Sequence, residues 1–420
     1  MSDPAAAAPL GPKPVLTSRL RRAFGRTEWG LVLAILVVIV LTALLDEQHN
    51  YWLRPRLSAV NVLRQTAFLG IFALGSAVVI IAGGIDLSSG SVIAFSGSLC
   101  AIFLALLAPE EVKNSQNVGA GVIALAVLGT LVAGLLIGSF HAWLITVIGL
   151  PPFVATLATL VGLRSLGRVL VEQVTKGVWG SAKTQIDISD SQFSGLTTHV
   201  WIPVALFIVL AAAVWVLMSR TVTGRRLHAL GGNEQAALLS GIHTDRLKWL
   251  AYCLSAVLAS VAGILYVSDT TTANPQNLGR GYELNAIAAA VVGGCSLQGG
   301  LGTIPGVVLG VLFLRTVIDG VAKIIKSNAD VYEGLIVGGV VVVAVAFTQL
   351  RQARRRGKQF FPGALGWVTV VNLAILAGAL AVVVGPAALG PLTSGGIAGG
   401  AALALLVLVK LLDGRRRGKG

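Results

Sequence analysis

The stretch IIAGGIDLSSGSVIAF, residues 80–95, places one carboxylate, that of Asp86, between two long apolar runs. Glycine and serine residues surround this acid and interrupt the hydrophobic pattern. We call residues 83–90 the first glycine break. Its candidate functional residues, with the serine that follows it, are Gly83, Gly84, Asp86, Ser88, Gly90 and Ser91. What such an acid does depends on whether it lies in a soluble domain or in a membrane.

The composition is that of a membrane protein. Hydrophobic residues make up 55% of the 420 residues and charged residues only 12%, with a mean hydropathy of +0.83. A soluble domain usually has about 25% charged residues. Several apolar runs approach the roughly 20 residues that a helix needs to cross a bilayer. We therefore predict an all-α polytopic membrane protein.

The net charge of +14 is concentrated in four hydrophilic stretches, at 19–26, 220–248, 351–358 and 415–419. Basic residues beside apolar spans mark the cytoplasmic side of a membrane protein, and they attract anionic lipids. We interpret the charge as an orientation signal and a lipid contact, not as a nucleic-acid surface. Both termini are accordingly expected in the cytoplasm.

The N-terminal residues 1–28 are predicted to form a disordered, basic cytoplasmic segment, because their first part is rich in proline and alanine. No small-residue cleavage site follows the apolar run at 29–45, so we expect a retained first span. Cys100, Cys253 and Cys295 show no metal-ligand spacing, and no metal site is predicted.

Hydrophobic windows predict twelve spans. They lie at 29–45, 62–82, 87–108, 118–148, 152–171, 201–218, 248–268, 284–294, 301–320, 331–349, 365–388 and 391–412. The eighth span is too short for a comfortable helical crossing. The basic stretches before and after spans seven to ten must share one side, so an even number of crossings separates them. We therefore keep the eighth span and expect it to be irregular or broken.

With this topology, five loops face the outside. They are 46–61, 109–117, 172–200, 269–283 and 319–330.

A second glycine-rich segment resembles the first. GGIDLSSG at 83–90 and GGCSLQGG at 293–300 share Gly-Gly-x-x-Leu-x-x-Gly, and each lies between apolar runs. We call residues 293–300 the second glycine break and add Gly293 and Gly294 to the candidate pathway residues. Glycine-interrupted segments in corresponding halves of a transporter indicate its translocation path. In a chain with 51 glycines the match could equally arise by chance. Both breaks are expected near the same face of the membrane.

Three roles are open for Asp86. It could cap a helix that starts at Leu87, by accepting backbone N–H bonds where negative charge is favoured. It could instead lie beside a water-filled passage and contact a polar solute, at an insertion cost of about 2.5–3.5 kcal/mol. The third role is proton or ion coupling.

The longest polar interruption on the predicted inner face is TVTGRRLHALGGNEQAALLSGIHTDRLKW, residues 221–249. Within it we predict a short helix at 234–240, capped by Asn233 or Gly232 and terminated by Gly241. Its apolar side, at 236–239, needs a partner. That partner is either the chain's own helix ends or a groove in another subunit.

The chain has no G-x-x-x-x-G-K-[ST] phosphate loop and no H-E-x-x-H site. Charged residues inside or at the edges of the predicted spans are few: Arg164, Arg168, Glu283, Arg315 and Asp319. Ion-driven carriers usually have a denser set of buried ionisable groups. The sequence thus favours a pathway subunit that is powered by another protein.

These features resemble the permease subunits of bacterial ABC importers for monosaccharides, the ribose/xylose/galactoside type, with xylose permeases most similar in appearance. The resemblance rests on GGIDLSSGSVIAFSG at 83–97, GRRLHALGGNEQAALLSGI at 224–242 and ELNAIAAAVVGGCSLQGGLGTIPGVVLG at 283–310. It covers residues from about 30 to 350.

The resemblance implies a permease core of about ten spans at 29–350, with a cytoplasmic coupling loop at 219–247. Two permease copies would form the pathway in the bacterial inner membrane, and an extracytoplasmic sugar-binding protein would dock on the outer loops. Cytoplasmic ATPase subunits would bind ATP and Mg, so this chain would be neither an enzyme nor the holder of a cofactor. The loop residues expected to contact the ATPase are Gly224, Gly231, Gly232, Asn233, Glu234, Ala236, Ala237 and Gly241.

The chain departs from this pattern at 351–420, where we predict a basic loop, an extra transmembrane hairpin and a basic tail. Three alternative functions stay open. They are an ion-coupled secondary carrier, a branched-chain amino-acid ABC permease and a membrane scaffold that recruits a partner.

Overall fold

The computed structural model describes residues 26–324, 363–384 and 390–415, with short pieces between 334 and 342. In chain order the helices are α1 Arg26–Leu45, α2 Asn50–Leu53, α3 Pro55–Ile81, α4 Ser89–Leu107, α5 Pro109–Lys113, α6 Ala120–Thr146, α7 Pro152–Trp179, α8 Ser191–Thr198, α9 Trp201–Arg220, α10 Val222–Gly232, α11 Glu234–Leu239, α12 Thr244–Thr270, α13 Tyr282–Val292, α14 Ile304–Ile324, α15 Gly363–Val384 and α16 Pro391–Arg415. The two short strands are β1 Ile186–Asp187 and β2 Thr272–Ala273, which pair antiparallel.

Nine helices in the described part of the chain are long and apolar enough to cross a membrane. The prediction of an all-α polytopic membrane protein is confirmed. The predicted tenth span, 331–349, lies mostly outside the described residues.

Several predicted boundaries were wrong because helices extend into the predicted loops. The loop expected at 46–61 contains α2 and the first turns of α3, which starts with Pro55 at its N-terminus. Proline is well tolerated in the first turn of a helix, where its missing N–H would have no partner. The helix α7 continues eight residues beyond the predicted end at 171, to Trp179.

The first compact unit, residues 1–341, is built around α3, α4 and α12. In their most apolar windows 72–89% of the residues are buried, against 22% in α6, α7 and α9. Small residues allow the central helices to pack closely, as is common between membrane helices. A methyl group added to Gly97 of α4 would lie 2.8 Å from the Gly263 carbonyl oxygen of α12.

The two ends of this unit differ in the elements that connect the long helices. We call the end that contains α10 and α11 the loop end, and the opposite end the platform end. The platform end contains α8 and the β1–β2 pair, and Asp190 stabilises it by accepting hydrogen bonds from the backbone N–H groups of Phe193 and Val118, each at 2.6 Å. The hydroxyl of Ser268, near the end of α12, donates to the Phe193 carbonyl at 2.7 Å.

The predicted eighth span, 284–294, coincides with one short helix that follows a non-helical segment. Residues 274–281 leave the platform end without forming a helix, and Gly279 reaches Gly90. The helix α13 then continues for 11 residues, which is about 16 Å at 1.5 Å per residue and roughly half of a bilayer core. The second glycine break follows at the loop end.

The second compact unit, residues 342–420, contains α15 and α16. A methyl group on Gly378 would lie 3.0 Å from the Gly395 carbonyl oxygen and 3.4 Å from the Gly399 Cα, so small residues bring these two helices together. Lys410 of α16 donates to the Gly363 carbonyl at 2.9 Å. The described residues therefore include the additional C-terminal helix pair that the sequence predicts.

Candidate functional site

The first glycine break begins with a sharp helix end. The helix α3 stops at Ile81, and Gly83 adopts a left-handed backbone with φ +86°. The N–H of Gly83 bonds to the Ile80 carbonyl, and the N–H of Gly84 bonds to the Val79 carbonyl, both at 2.9 Å. This pair of bonds is the Schellman motif, in which glycine is favoured because it has no Cβ to clash at positive φ. The motif turns the chain out of α3 toward Asp86.

Asp86 lies buried in the bend, with 3% of its surface exposed. Its Oδ1 accepts hydrogen bonds from the backbone N–H of Ser88 at 2.9 Å and from the Ser88 hydroxyl at 2.6 Å. Its Oδ2 accepts a bond from the Ser255 hydroxyl of α12 at 2.8 Å. The carboxylate therefore joins the break to a central helix.

Of the three open roles of Asp86, capping a helix that starts at Leu87 does not match the structure, although Asp86 does accept the Ser88 backbone N–H. The helix α4 starts at Ser89, and Ser88 occupies the N-cap position. Asp86 lies two residues before that cap, and its side chain bends onto the N–H two residues ahead, as Asp does in an Asx turn. The sequence could not distinguish this turn from a cap because both use short-range bonds to backbone N–H groups.

The hydrogen bonds of Asp86 can offset its burial. Placing Asp at the centre of a membrane costs about 2.5–3.5 kcal/mol on insertion scales. A hydrogen bond to a charged group contributes about 1.5–3 kcal/mol, and Asp86 accepts bonds from both Ser88 donors and from Ser255.

Thr156 of α7 satisfies the backbone next to Asp86. The N–H of Leu87 donates to the Thr156 hydroxyl oxygen at 3.2 Å, and that hydroxyl lies 3.4 Å from the Ile85 carbonyl oxygen. Non-helical backbone at membrane depth is tolerated where the surrounding protein supplies such partners. The serine at the end of this region, Ser91, donates to the Ser88 carbonyl at 2.7 Å.

The second glycine break begins with the same kind of helix end. After α13, Gly294 has φ +96°, and the N–H groups of Gly294 and Cys295 bond to the Val291 and Ala290 carbonyls at 2.9 Å. Here the left-handed residue is the second glycine of the motif, whereas in the first break it is the first glycine. The sequence match and the structural match are thus offset by one residue.

The two breaks meet at the loop end, together with the last turn of α10. A methyl group on Gly299 would lie 2.8 Å from the Gly83 Cα, and one on Gly83 would lie 3.2 Å from the Gly231 Cα. The N–H of Gly300 donates to the Ile81 carbonyl at 2.9 Å. We call this meeting point the glycine junction. The prediction that both breaks lie near the same face is confirmed.

The loop between α9 and α12 contains two helices, of which the sequence predicted one. The unpredicted helix is α10, whose N-cap is Thr221; its hydroxyl oxygen accepts the Gly224 N–H at 3.1 Å. Threonine before an amphipathic stretch is a recognised start signal, so this helix could have been found from the sequence. His228 of α10 hydrogen-bonds through Nδ1 to the Gly300 carbonyl at 3.1 Å.

The predicted short helix is present as α11, over Glu234–Leu239. Of the two proposed caps, Asn233 is the one used, and its side-chain oxygen accepts the Ala236 N–H at 3.0 Å. Gly241 terminates the helix with φ +77°, as predicted. Lys248 of α12 forms an ion pair with Glu234 at 2.5 Å and ties α11 to the bundle.

The apolar side of α11 is only partly covered. Ala237 is buried at 4% exposure, whereas Leu238 and Leu239 are 60% and 90% exposed. Packing against the chain's own helix ends therefore accounts for one of these apolar residues and leaves both leucines uncovered.

At the other end of α13, Arg164 of α7 holds the non-helical segment before it. Its guanidinium donates to the carbonyls of Leu278 and Gly279 at 2.9 and 2.8 Å, and to those of Pro275 and Gln276 at 3.3 and 3.4 Å. The sequence marked Arg164 only as a charged residue within a span. Its partners are backbone atoms more than a hundred residues away, so no local pattern shows them.

The structure thus separates the predicted loop residues into two groups. Gly224, Gly231 and Ala237 pack against the chain itself, Gly224 on the Met218 carbonyl, Gly231 at the glycine junction and Ala237 at 4% exposure. The exposed group consists of Gly232, Asn233, Glu234, Ala236 and Gly241. Ser255, Thr156, His228 and Arg164 complete the site and were not predicted as part of it.

Comparisons with known proteins show what this chain is similar to. Residues 58–346 match the family model of branched-chain amino acid transport system permease components. The ribose import permease protein RbsC of Bacillus subtilis is 35% identical over 327 residues, covering 77% of this chain and 93% of that protein. RbsC of Escherichia coli strain K12 is 34% identical, covering 76% and 93%.

The galactose/methyl galactoside import permease protein MglC of Escherichia coli strain K12 is 32% identical, covering 76% of this chain and 94% of that protein. A solved structure described as an inward-facing ABC transporter of the metal-chelate type covers 76% of this chain and 98% of its own, with 16% identity and a TM-score of 0.41.

The family model includes both glycine breaks and the α10–α11 loop, and it ends before α15. The resemblance seen in the sequence is confirmed. The chain belongs to the branched-chain amino acid transport system permease family, whose members are the permease subunits of ABC transporters.

Proposed function

We propose that this chain forms the translocation pathway of an ATP-driven importer for a monosaccharide. Its relatives are permeases named for ribose and for galactose or methyl galactoside import, which supports a sugar more than an amino acid. Nothing in these names favours xylose in particular, and the proposed substrate class is the monosaccharides as a group. ATP and Mg would bind to partner ATPase subunits.

The observation that carries this proposal is the exposed leucine pair on α11. Leu238 and Leu239 lie on a capped helix outside the membrane-spanning helices, where a stable apolar contact requires another protein. An amphipathic helix commonly binds by placing its apolar face in a groove of its partner. We propose that the ATPase supplies this groove on the cytoplasmic side. Asn233, Glu234, Ala236 and Gly241 would shape the helix that enters it.

The platform end is the proposed docking surface for the sugar-binding protein. It combines the 172–200 and 269–283 loops, which β1 and β2 join through Ile186–Ala273 and Asp187–Thr272 pairing. A surface joined in this way can transmit the arrival of a partner to α12, because β2 follows that helix directly. A second permease copy would complete the pathway in the bacterial inner membrane.

The ATPase contact is tested with one substitution and a control of equal charge. The permease is purified by an affinity tag from its native membrane, and co-purified ABC ATPase is quantified by mass spectrometry. We expect Leu239→Asp to lower ATPase recovery several-fold, because a charge cannot enter an apolar groove without a large desolvation cost. Gln116→Asp, in an exposed loop at the platform end, should recover the ATPase as the wild type does. Equal recovery in both variants would contradict the docking role.

The energy source is tested by sugar uptake in cells that have or lack this chain. We expect labelled ribose or galactose to accumulate only with the chain present, and accumulation to stop when ATP is depleted while the proton gradient is kept. Uptake that stops when the gradient is collapsed at normal ATP would favour the ion-coupled carrier. Competition by leucine or valine, but not by sugars, would favour an amino-acid permease.

A further inference from the structure

We infer that Gly231 transmits the movement of the cytoplasmic loop to both glycine breaks, as a positioning residue that does not itself contact the ATPase. This inference rests on the proposed function. The inference goes beyond the proposed function by naming the residue through which a displacement of α11 would reach the membrane-spanning helices.

Gly231 is packed too closely for any side chain. A Cβ at this position would overlap the Ile81 carbonyl oxygen and would lie 2.6 Å from the Gly300 backbone nitrogen. Those two atoms belong to the end of α3 and to the second break, and they hydrogen-bond to each other at 2.9 Å. Gly231 therefore lies against a backbone hydrogen bond that joins the end of α3, just before the first break, to the second break.

The helix α10 is suited to transmit movement as a rigid piece. Its N-terminus is capped by Thr221, and its inner face is anchored by Leu227 and Leu230, at 0% and 2% exposure. Its C-cap, Asn233, is at the same time the N-cap of α11. A displacement of α11 is thus passed to α10 through a single shared residue.

A second contact from α10 reaches the same place. His228, one helical turn before Gly231, hydrogen-bonds to the Gly300 carbonyl at 3.1 Å. The last turn of α10 therefore lies against residue Gly300 on both sides, with Gly231 beside its N–H and His228 bonded to its carbonyl. Tightly packed contacts of this kind transmit small shifts, because packed interiors have low compressibility.

Gly162 of α7 provides a matched control outside the loop. It lies within a helix, and a Cβ added to it meets nothing within 4 Å. Gly231→Ala and Gly162→Ala both replace a helical glycine by alanine, yet only the first must displace the glycine junction. The two variants separate the effect of the contact from the effect of losing a glycine.

The experiment measures three quantities on the full complex purified with its ATPase: ATPase recovery, ATP hydrolysis, and sugar uptake in proteoliposomes with the binding protein. For Gly231→Ala we expect normal ATPase recovery and continued hydrolysis, with a several-fold fall in sugar imported per ATP hydrolysed. Gly162→Ala should match the wild type in all three measurements.

Equal uptake per ATP in both variants would overturn the inference. Loss of ATPase recovery in a well-folded Gly231→Ala would also overturn it, since Gly231 would then act in docking. If the wild type itself recovers no ATPase and imports nothing with ATP, the proposed function fails, which is a different result.

If the Gly231→Ala protein does not accumulate in the membrane, substitutions of His228 test the inference instead. His228→Ala removes the contact to Gly300 without adding volume, and we expect partial uncoupling with normal ATPase recovery. His228→Gln keeps a donor that can reach a carbonyl, so it should restore part of the uptake per ATP. Wild-type coupling in His228→Ala would overturn the inference.

Discussion

The two glycine breaks share a local design and differ in their surroundings. In the first, Asp86 accepts the N–H of Ser88, two residues ahead, at 2.9 Å. At the matching position of the second, the hydroxyl of Ser296 accepts the N–H of Gln298 at 3.2 Å. The first turn is buried and reaches Ser255 of α12, whereas Ser296 is only partly buried at the loop end.

This difference shows why only one break contains an acid. A hydroxyl is sufficient for a turn near the surface, because water can form the hydrogen bonds that the protein does not supply. A buried turn that also joins another helix benefits from a carboxylate, which offers two acceptor oxygens and forms stronger bonds. The acid thus marks the break that is buried and bonded to another helix. The following variants test this comparison.

The largest effect is expected where the second break is packed most closely. A Cβ at Gly306 of α14 would overlap the Gly293 carbonyl oxygen, so Gly306→Ala should lower the free energy of unfolding by about 1–3 kcal/mol or more, as overpacking does. Thermal and denaturant unfolding in detergent micelles measure the change. Gly162→Ala, on α7 with nothing within 4 Å of its Cβ, should be neutral or slightly stabilising. Equal stability of the two variants would contradict the packing argument.

Asp86→Ala should have the next largest effect. It leaves the Ser88 and Ser255 donors without their buried acceptor, at about 1–3 kcal/mol for an unsatisfied group, and sugar uptake should fall strongly. Asp86→Asn keeps one oxygen for Ser88, and its amide can donate to the Ser255 hydroxyl, so uptake should fall modestly. Near-complete loss of uptake in a stable Asp86→Asn would mean that the charge acts directly on transport. Full activity of Asp86→Ala would remove both roles.

Arg164→Gln should loosen the non-helical segment before α13, because Arg164 holds that segment through backbone carbonyls. Loss of these charge-assisted bonds should lower stability by about 1–3 kcal/mol and increase hydrogen exchange in residues 275–279. The control is Arg168→Gln, one turn away, whose exposed pair with Glu172 should contribute only about 0.3–0.5 kcal/mol. Unchanged hydrogen exchange at residues 275–279 would contradict the role of Arg164 in holding this segment.

The smallest effect is expected for Ser296→Asp, which places an acid in the second break at the position that Asp86 has in the first. Because Ser296 is only partly buried and already accepts the Gln298 N–H, an aspartate can form the same turn at little desolvation cost. Stability and uptake should change by less than about 0.5 kcal/mol and by less than twofold, as for a typical surface substitution. A strong loss would show that the second break is deeper in the structure than its exposure indicates.

Much of the candidate site was predictable because its parts depend on short-range interactions. The two breaks, the Asn233 cap and the Gly241 end of α11 follow from residue types that favour caps and left-handed backbone. The Thr221 cap of α10 was equally available in the sequence. The start of α4 was not, because an Asx turn and an N-cap use the same residue types over the same distance.

The sequence by itself determined that this chain crosses a membrane many times, where its helices are interrupted, and which loop presents a short apolar helix. Hydrophobicity, glycine and capping residues act over a few positions, so their consequences can be read locally. Only the tertiary structure decided that Asp86 bonds to Ser255, which is 169 residues away, and that Gly231 lies on both breaks. These contacts depend on how helices from distant parts of the chain pack together, and the space left between their backbones decides which glycines are indispensable.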